Sequence, residues 1–168
     1  INDIDIRDIV KDDLRKAIAI VLQDTILFTE SITKNVSYGN SEMPFDKIVQ
    51  ACELANADNF IEALPEKYET VLKLSGANLS QGERQLLSIA RATAAEPKIL
   101  ILDEATSSVD TRTEKNIQNA MVALMKNRTS LIIAHRLSTI RDADKIIVMK
   151  EGRIIESGNH SELIKQKG

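Results

Sequence analysis

Two adjacent carboxylates, Asp103 and Glu104, follow an unbroken apolar run of Ile99, Leu100, Ile101 and Leu102. A run of that length reads as a buried strand, and a strand delivers whatever follows it to the edge of a sheet. Phosphoryl transfer needs a carboxylate to help hold Mg²⁺ and a group to orient the attacking water. Asp103 suits the first role and Glu104 the second. A buried strand followed by a solvated acidic turn would look the same, and these residues alone leave both readings open. A second group is Leu79-Ser80-Gln81-Gly82-Glu83, which runs into a helical stretch. Ser80 and Glu83 have the spacing of a capping box. The Gly82 amide and the Ser80 hydroxyl at a helix N-terminus also form a ready anion site. Taken alone, these residues need no role beyond capping. Gln23 and His135 each follow a short apolar run directly.

Elements of two kinds must position these groups. Residues 18–22 form an apolar run of strand length, ending at Gln23. Over residues 44–64 the pattern is helical, with Ile48, Ala51, Cys52 and Ala55 at three- and four-residue spacing, and Pro65 ends it. Residues 68–76 show no period and read as a loop. Residues 80–95 are helical again and are closed by Pro97. Beyond Pro97 strands alternate with helices: a strand at 99–102, a helix at 111–125, and a strand at 131–134. The first of these helices carries Ile117, Ala120, Met121 and Leu124 on one face, and a capping box of Thr111 and Glu114 at its start. Residues 145–149 and 153–156 read as a strand pair around a tight turn at Glu151-Gly152. Residues 159–167 form a terminal helix capped by Asn159 and Glu162. The expected fold class is therefore α/β: a parallel sheet covered on both faces, with residues 40–95 as a helical insertion. Ligands of such sheets sit at the carboxyl ends of the strands, where Gln23, Asp103-Glu104 and His135 could meet.

Bulk properties narrow the partners. The chain has 168 residues, 43% hydrophobic and 28% charged, an ordinary globular balance. A net charge of −3 gives no electrostatic reason to expect nucleic acid. The single cysteine, Cys52, excludes a disulfide within the chain. Cys52 and the methionines suit helix packing, and His160 suits a surface position. No apolar run approaches the ~18 residues of a membrane span. The acidic start, without an initiator Met or a signal peptide's basic and apolar segments, suggests a piece of something longer.

Five motifs occur in one order: Gln23 after a strand, 79–83, 99–104, Ser107-Ser108-Val109-Asp110, and a strand-end His135. Together they resemble the ATPase domain of ABC transporters over nearly the whole chain. The resemblance implies a P-loop NTPase-like fold, with an ATPase core lobe at 1–39 and 96–168 and a helical subdomain at 40–95. It places Gln23 in the Q-loop, 79–83 in the signature motif, 99–104 in the Walker B strand with Glu104 as catalytic glutamate, 107–110 in the D-loop, and His135 as the switch histidine. The cofactors implied are ATP and Mg²⁺. Glu104, His135 and Gln23 would serve catalysis, and Asp103 and Gln23 the metal. Two such domains would meet head to tail, as a homo- or heterodimer. Leu79, Ser80, Gln81, Gly82 and Asp110 would then reach ATP across the dimer interface. Residues 21–28 and Asn35-Val36-Ser37-Tyr38-Gly39 resemble the exporter branch, in which a transmembrane domain usually precedes the ATPase on one polypeptide at the cytoplasmic face of the membrane. The alternatives are a soluble ABC-type ATPase of DNA repair or translation, and an inert structural fragment.

Two features depart from the family pattern. The phosphate loop G-x-x-x-x-G-K-[S/T] does not occur in these residues. The resemblance places it upstream of Ile1, together with the aromatic residue that stacks on adenine, so the expectation is a chain that does not hydrolyse ATP alone and exposes apolar surface and an open strand edge. In the second departure, Lys73 and Leu74 stand where exporters usually carry Gly and Glu, within a stretch that keeps Thr70 and Gly76. That loop's usual contact with transmembrane coupling segments is therefore not carried over.

Overall fold

The computed structural model describes residues 1–74, 76–103, 111–134 and 140–165. They group into two compact units, Ile1–Ile132 and Ile133–Gly168. In the first, strand β1 (Ile18–Val21) pairs in parallel with β2 (Ile99–Asp103), and β3 (Thr129–Ile133) lies on the other side of β2. The register sets Ile18 against Ile99 and Val21 against Leu102. Side chains alternate between faces along a strand, so Val21, Leu100 and Leu102 enter the core together.

The core is completed by helices α2 (Ile32–Val36), α3 (Phe45–Leu54), α4 (Asp58–Glu62), α5 (Gln81–Ala94) and α6 (Thr111–Met125). Helix α5 is central and packs against α2, α3, α6 and β1. Its buried residues Gln85, Leu86, Leu87, Ile89, Ala90 and Ala92 cover more than one face, as a helix flanked on several sides requires. On α6 the buried stripe is the expected one, Ile117, Ala120, Met121 and Leu124. The Thr111 side chain of the anticipated capping box lies outside the described residues.

Two expectations need correction. The helical pattern over 44–64 is two helices, because Asn56 takes a left-handed φ of 56° and ends the first; asparagine tolerates that conformation better than most residues. Its amide then donates to the Asn116 carbonyl at 3.2 Å, fixing the break. Among the described residues of the first unit the sheet is covered on one face, and Ile20 and Leu131, pointing away from the core, are 54% and 57% exposed. The apolar strands are apolar on both sides, yet among the described residues of the first unit the helices fill one side. Two short helices carry no strong signal in the sequence: α2, and α1 (Lys11–Ala17), which buries nothing and is supported by acids in its first turn and bases in its last.

Cys52 is buried, as packing requires. Burial, with Asp58 and Glu53 nearby, pushes its thiol up to about 12, so it remains protonated.

The second unit contains an antiparallel hairpin of β4 (Ile146–Lys150) and β5 (Arg153–Gly158). Its turn residues Glu151 and Gly152 have φ of 50° and 74°, the mirror-image turn that matches strand twist. Helix α7 (His160–Lys165) follows. The Asn159 N–H donates to Glu162 Oε2 at 2.9 Å, and the Glu162 N–H donates to Asn159 Oδ1 at 3.0 Å, which is the expected capping box.

Candidate functional site

The parallel register brings two of the expected site residues to one sheet edge. Val21 lies opposite Leu102, so Gln23 and Asp103 emerge from the carboxyl ends of neighbouring strands. Gln23 is exposed and Asp103 is half-buried. A carboxylate at the carboxyl end of a strand is the kind of oxygen ligand that Mg²⁺ takes, with waters and phosphates as its remaining ligands. Glu104, Asp110 and His135, with Ser107, Ser108 and Val109, lie outside the described residues. Among the described residues there is no cluster of three or more His, Cys, Asp or Glu able to hold a metal unaided.

At the start of α5 the expected capping box is complete. The Glu83 N–H donates to Ser80 Oγ at 3.3 Å, and the Ser80 N–H donates to Glu83 Oε2 at 2.8 Å. Because the Ser80 oxygen is used as an acceptor, its hydroxyl proton remains a donor for something outside the helix. Ser80 and Gln81 are exposed, while Leu79 and Gly82 are buried. A phosphate oxygen approaching this end would meet a hydroxyl donor and the positive end of a long helix, against the negative charge of Glu83.

The loop before α5 is shaped by local bonds. Lys73 donates its N–H to Asn78 Oδ1 at 3.0 Å, and Gly76 donates to the Lys73 carbonyl at 2.8 Å. Gly76 has φ +85°, and a Cβ there would lie 3.0 Å from both Arg84 Cδ and Leu27 Cδ1, so glycine is required. Leu74, where exporters usually carry Glu, is 84% exposed. Upstream, this loop pairs with the segment after Gln23: Ile32 N–H donates to the Thr70 carbonyl at 3.1 Å and Leu72 N–H to the Glu30 carbonyl at 3.0 Å.

Sequence reasoning missed a polar hub beneath these loops. In the last turn of α5, Arg91 donates to the Asn35 carbonyl at 2.7 Å, to Asn35 Oδ1 at 3.0 Å and to the Ile26 carbonyl at 2.9 Å. Its guanidinium also lies over the stacked rings of Phe28 and Tyr38, 5.3 and 5.6 Å from their centroids. Buried Asn35 accepts the Phe28 N–H at 2.8 Å and donates its amide to the carbonyls of Phe28, Glu30 and Ser31. Burial lowers the basicity of Arg91, and a guanidinium remains charged regardless. The one signal in the sequence was the Arg after an apolar helical run, which looks like any solvated cation.

Parallel strands joined through helices, with polar residues at the strand ends, make this an α/β domain. The family described as ABC transporter matches residues 1–107. The chain is 52% identical over its full length to a fatty acid ABC transporter ATP-binding/permease protein of Mycobacterium bovis, covering 27% of that protein. It is 50% identical over 98% of its length to an ATP-dependent lipid A-core flippase of Desulfotalea psychrophila, covering 29% of it. A solved bacterial Atm1-family ABC exporter with ATP bound superposes with a TM-score of 0.89 at 41% identity, over 99% of this chain and 29% of that one. The chain belongs to the ABC transporter ATP-binding family, and its relatives are of exporter type. It spans less than a third of the length of these relatives. No helix among the described residues is long and apolar enough to cross a membrane.

Proposed function

We propose that this chain is the larger part of the ATP-hydrolysing domain of an exporter, acting with Mg²⁺ at the cytoplasmic face of a membrane. The observation that supports the reading is the parallel β1–β2 register, which ends two neighbouring strands at one sheet edge, with Gln23 following the first and Asp103 closing the second. Asp103 and Gln23 hold the metal, Glu104 orients the attacking water, and His135 completes the site around the γ-phosphate. In a head-to-tail pair, Leu79, Ser80, Gln81 and Gly82 meet the nucleotide held by the other half, with Asp110 at the same interface. The core lobe is 1–39 and 96–168, and the helical subdomain is 40–95. The Mycobacterium relative, whose name joins ATP-binding and permease functions, favours an exporter with a transmembrane part over a soluble ATPase.

Positioning supplies nearly all of the catalysis in phosphoryl transfer, and these 168 residues hold no Gly-Lys pair to cradle phosphates. The chain on its own is therefore expected to give no ATP turnover. In the intact exporter, Glu104→Gln keeps the side chain's size but loses its capacity to accept a proton. The expected result is loss of hydrolysis with ATP retained and the closed dimer accumulated, read as trapped nucleotide and dimer population. Loss of ATP binding in this variant, or steady turnover by the chain alone that Glu104→Gln abolishes, overturns the reading.

A further inference from the structure

The segment that follows Gln23 is fastened to the module carrying Ser80 at three levels. Residues 30 and 32 pair with 72 and 70 by backbone hydrogen bonds. Leu27, buried, lies against the space of Gly76 beside Arg84 of α5. Arg91 then closes the far end, taking the carbonyl of Ile26, three residues from Gln23, and both oxygens of Asn35. The first two fastenings consist of backbone bonds and apolar packing. The third is a single charged side chain.

The chemistry of that third fastening is selective. Every oxygen that Arg91 meets is a neutral carbonyl or amide, and no carboxylate pairs with it among the described residues. A charge seeking only neutralisation would sit beside an acid. This one is placed where a planar fork can span two strands of chain and lie over two rings, which an ammonium cannot do. Its position in the last turn sets it about 16 Å along the helix from Ser80. A stiff helix of that length turns a small displacement at one end into a displacement at the other.

We propose that Arg91 is a positioning residue for ATP turnover: by holding Ile26 and Asn35 against the last turn of α5, it makes the segment after Gln23 and the helix that begins at Ser80 move as one body. The inference rests on the proposed ATPase function and adds to it a named link between the metal-side glutamine and the surface that meets the second nucleotide. Arg91 touches no nucleotide in this scheme. It acts through the backbone of 26–35 on one side and through α5 on the other.

The test uses the intact exporter carrying Arg91→Lys, Arg91→Ala, Asn35→Ala, and Arg91→Lys with Asn35→Ala. Each is followed by thermal melting, by kcat and KM for ATP per folded molecule, and by the nucleotide-trapped dimer population in a Glu104→Gln background. Misplacing a catalytic group by a fraction of its reach costs about tenfold to a hundredfold in rate, so kcat is expected to fall by that factor in every variant, Arg91→Lys included. KM for ATP stays within about twofold, because ground-state binding is not what Arg91 supplies. The trapped dimer becomes scarcer, and the double variant is no worse than its worse single parent, since Asn35→Ala removes one of the three hydrogen bonds of the link that Arg91→Lys already breaks. Wild-type kcat in Arg91→Lys overturns the proposal, as does a lowered melting temperature with kcat per folded molecule unchanged. A raised KM at constant kcat overturns it too, by assigning Arg91 to nucleotide binding. A wild-type exporter without ATPase activity sinks the functional reading itself, whereas a working wild type with an unaffected Arg91→Lys sinks only this inference.

Discussion

At its N-terminus α5 is closed by residues three apart, Ser80 and Glu83, which exchange two hydrogen bonds within reach of water. At its C-terminus Arg91 takes partners 56 and 65 residues away, around a buried asparagine. The first closure is local and depends on nothing beyond one helical turn. The second is non-local and ties the helix to the exit of β1. A local cap can be altered with little consequence for the fold, which leaves that surface available to a ligand. A distant clamp cannot be altered without releasing a second segment of chain.

Three substitutions sharpen or break this contrast, from the largest expected effect on stability to the smallest. Asn35→Ala keeps the backbone carbonyl but leaves the Phe28 N–H and the Arg91 Nη2 donor without their shared acceptor, and each buried group left unpaired costs about 1–3 kcal/mol. Urea unfolding of the chain should show that loss; a cost no greater than that of Ser80→Ala would make the two ends equivalent and remove the contrast. Ser80→Ala should cost about 1 kcal/mol as a lost cap, a loss that a domain with about 5–15 kcal/mol of stability survives. Its functional effect is expected to be disproportionate. In an exporter dimer mutated in one half only, the composite site that fails should be the one whose phosphate loop comes from the unmutated half. Damage confined to the other site would reverse the head-to-tail assignment. Glu83→Gln is the mildest change, within about 0.5 kcal/mol, because glutamine also completes a capping box. With the carboxylate charge gone from an anion-facing helix end, the ATP-bound dimer should be more populated at low salt. An unchanged dimer population would mean that Glu83 is too far from the phosphates to matter.

The same contrast explains what was legible in the sequence. The Ser80–Glu83 and Asn159–Glu162 boxes are patterns of residues three apart, so the chain itself displays them. The stripe of α6 and the Glu151-Gly152 turn are equally local and match the structure. The break at Asn56 was not legible, because alanines on either side continue the helical spacing while one residue turns left-handed. Helix α2 is five residues long and too short to show a period. The Arg91–Asn35 hub was invisible for a different reason: nothing in either residue's neighbourhood marks the other. Of the site, the neighbouring parallel strands that end near Gln23 and at Asp103 followed from two apolar runs. Glu104, Asp110 and His135 rest on motif order alone, being outside the described residues.

The apolar side chains that β1 and β3 turn away from the described helices carry a consequence for how the chain behaves in solution. Ile20, Leu22 and Leu131 are each about half exposed or more, and a net charge of −3 on 168 residues gives weak mutual repulsion between molecules. Colloidally, such a chain is adhesive: apolar surface of this kind favours contact with a second molecule, a detergent or a hydrophobic dye over contact with water. Sulfate, which strengthens apolar burial by its exclusion from protein surfaces, should drive the chain into association at lower concentration than chloride does, and the face that β1 and β3 present would be where the molecules meet.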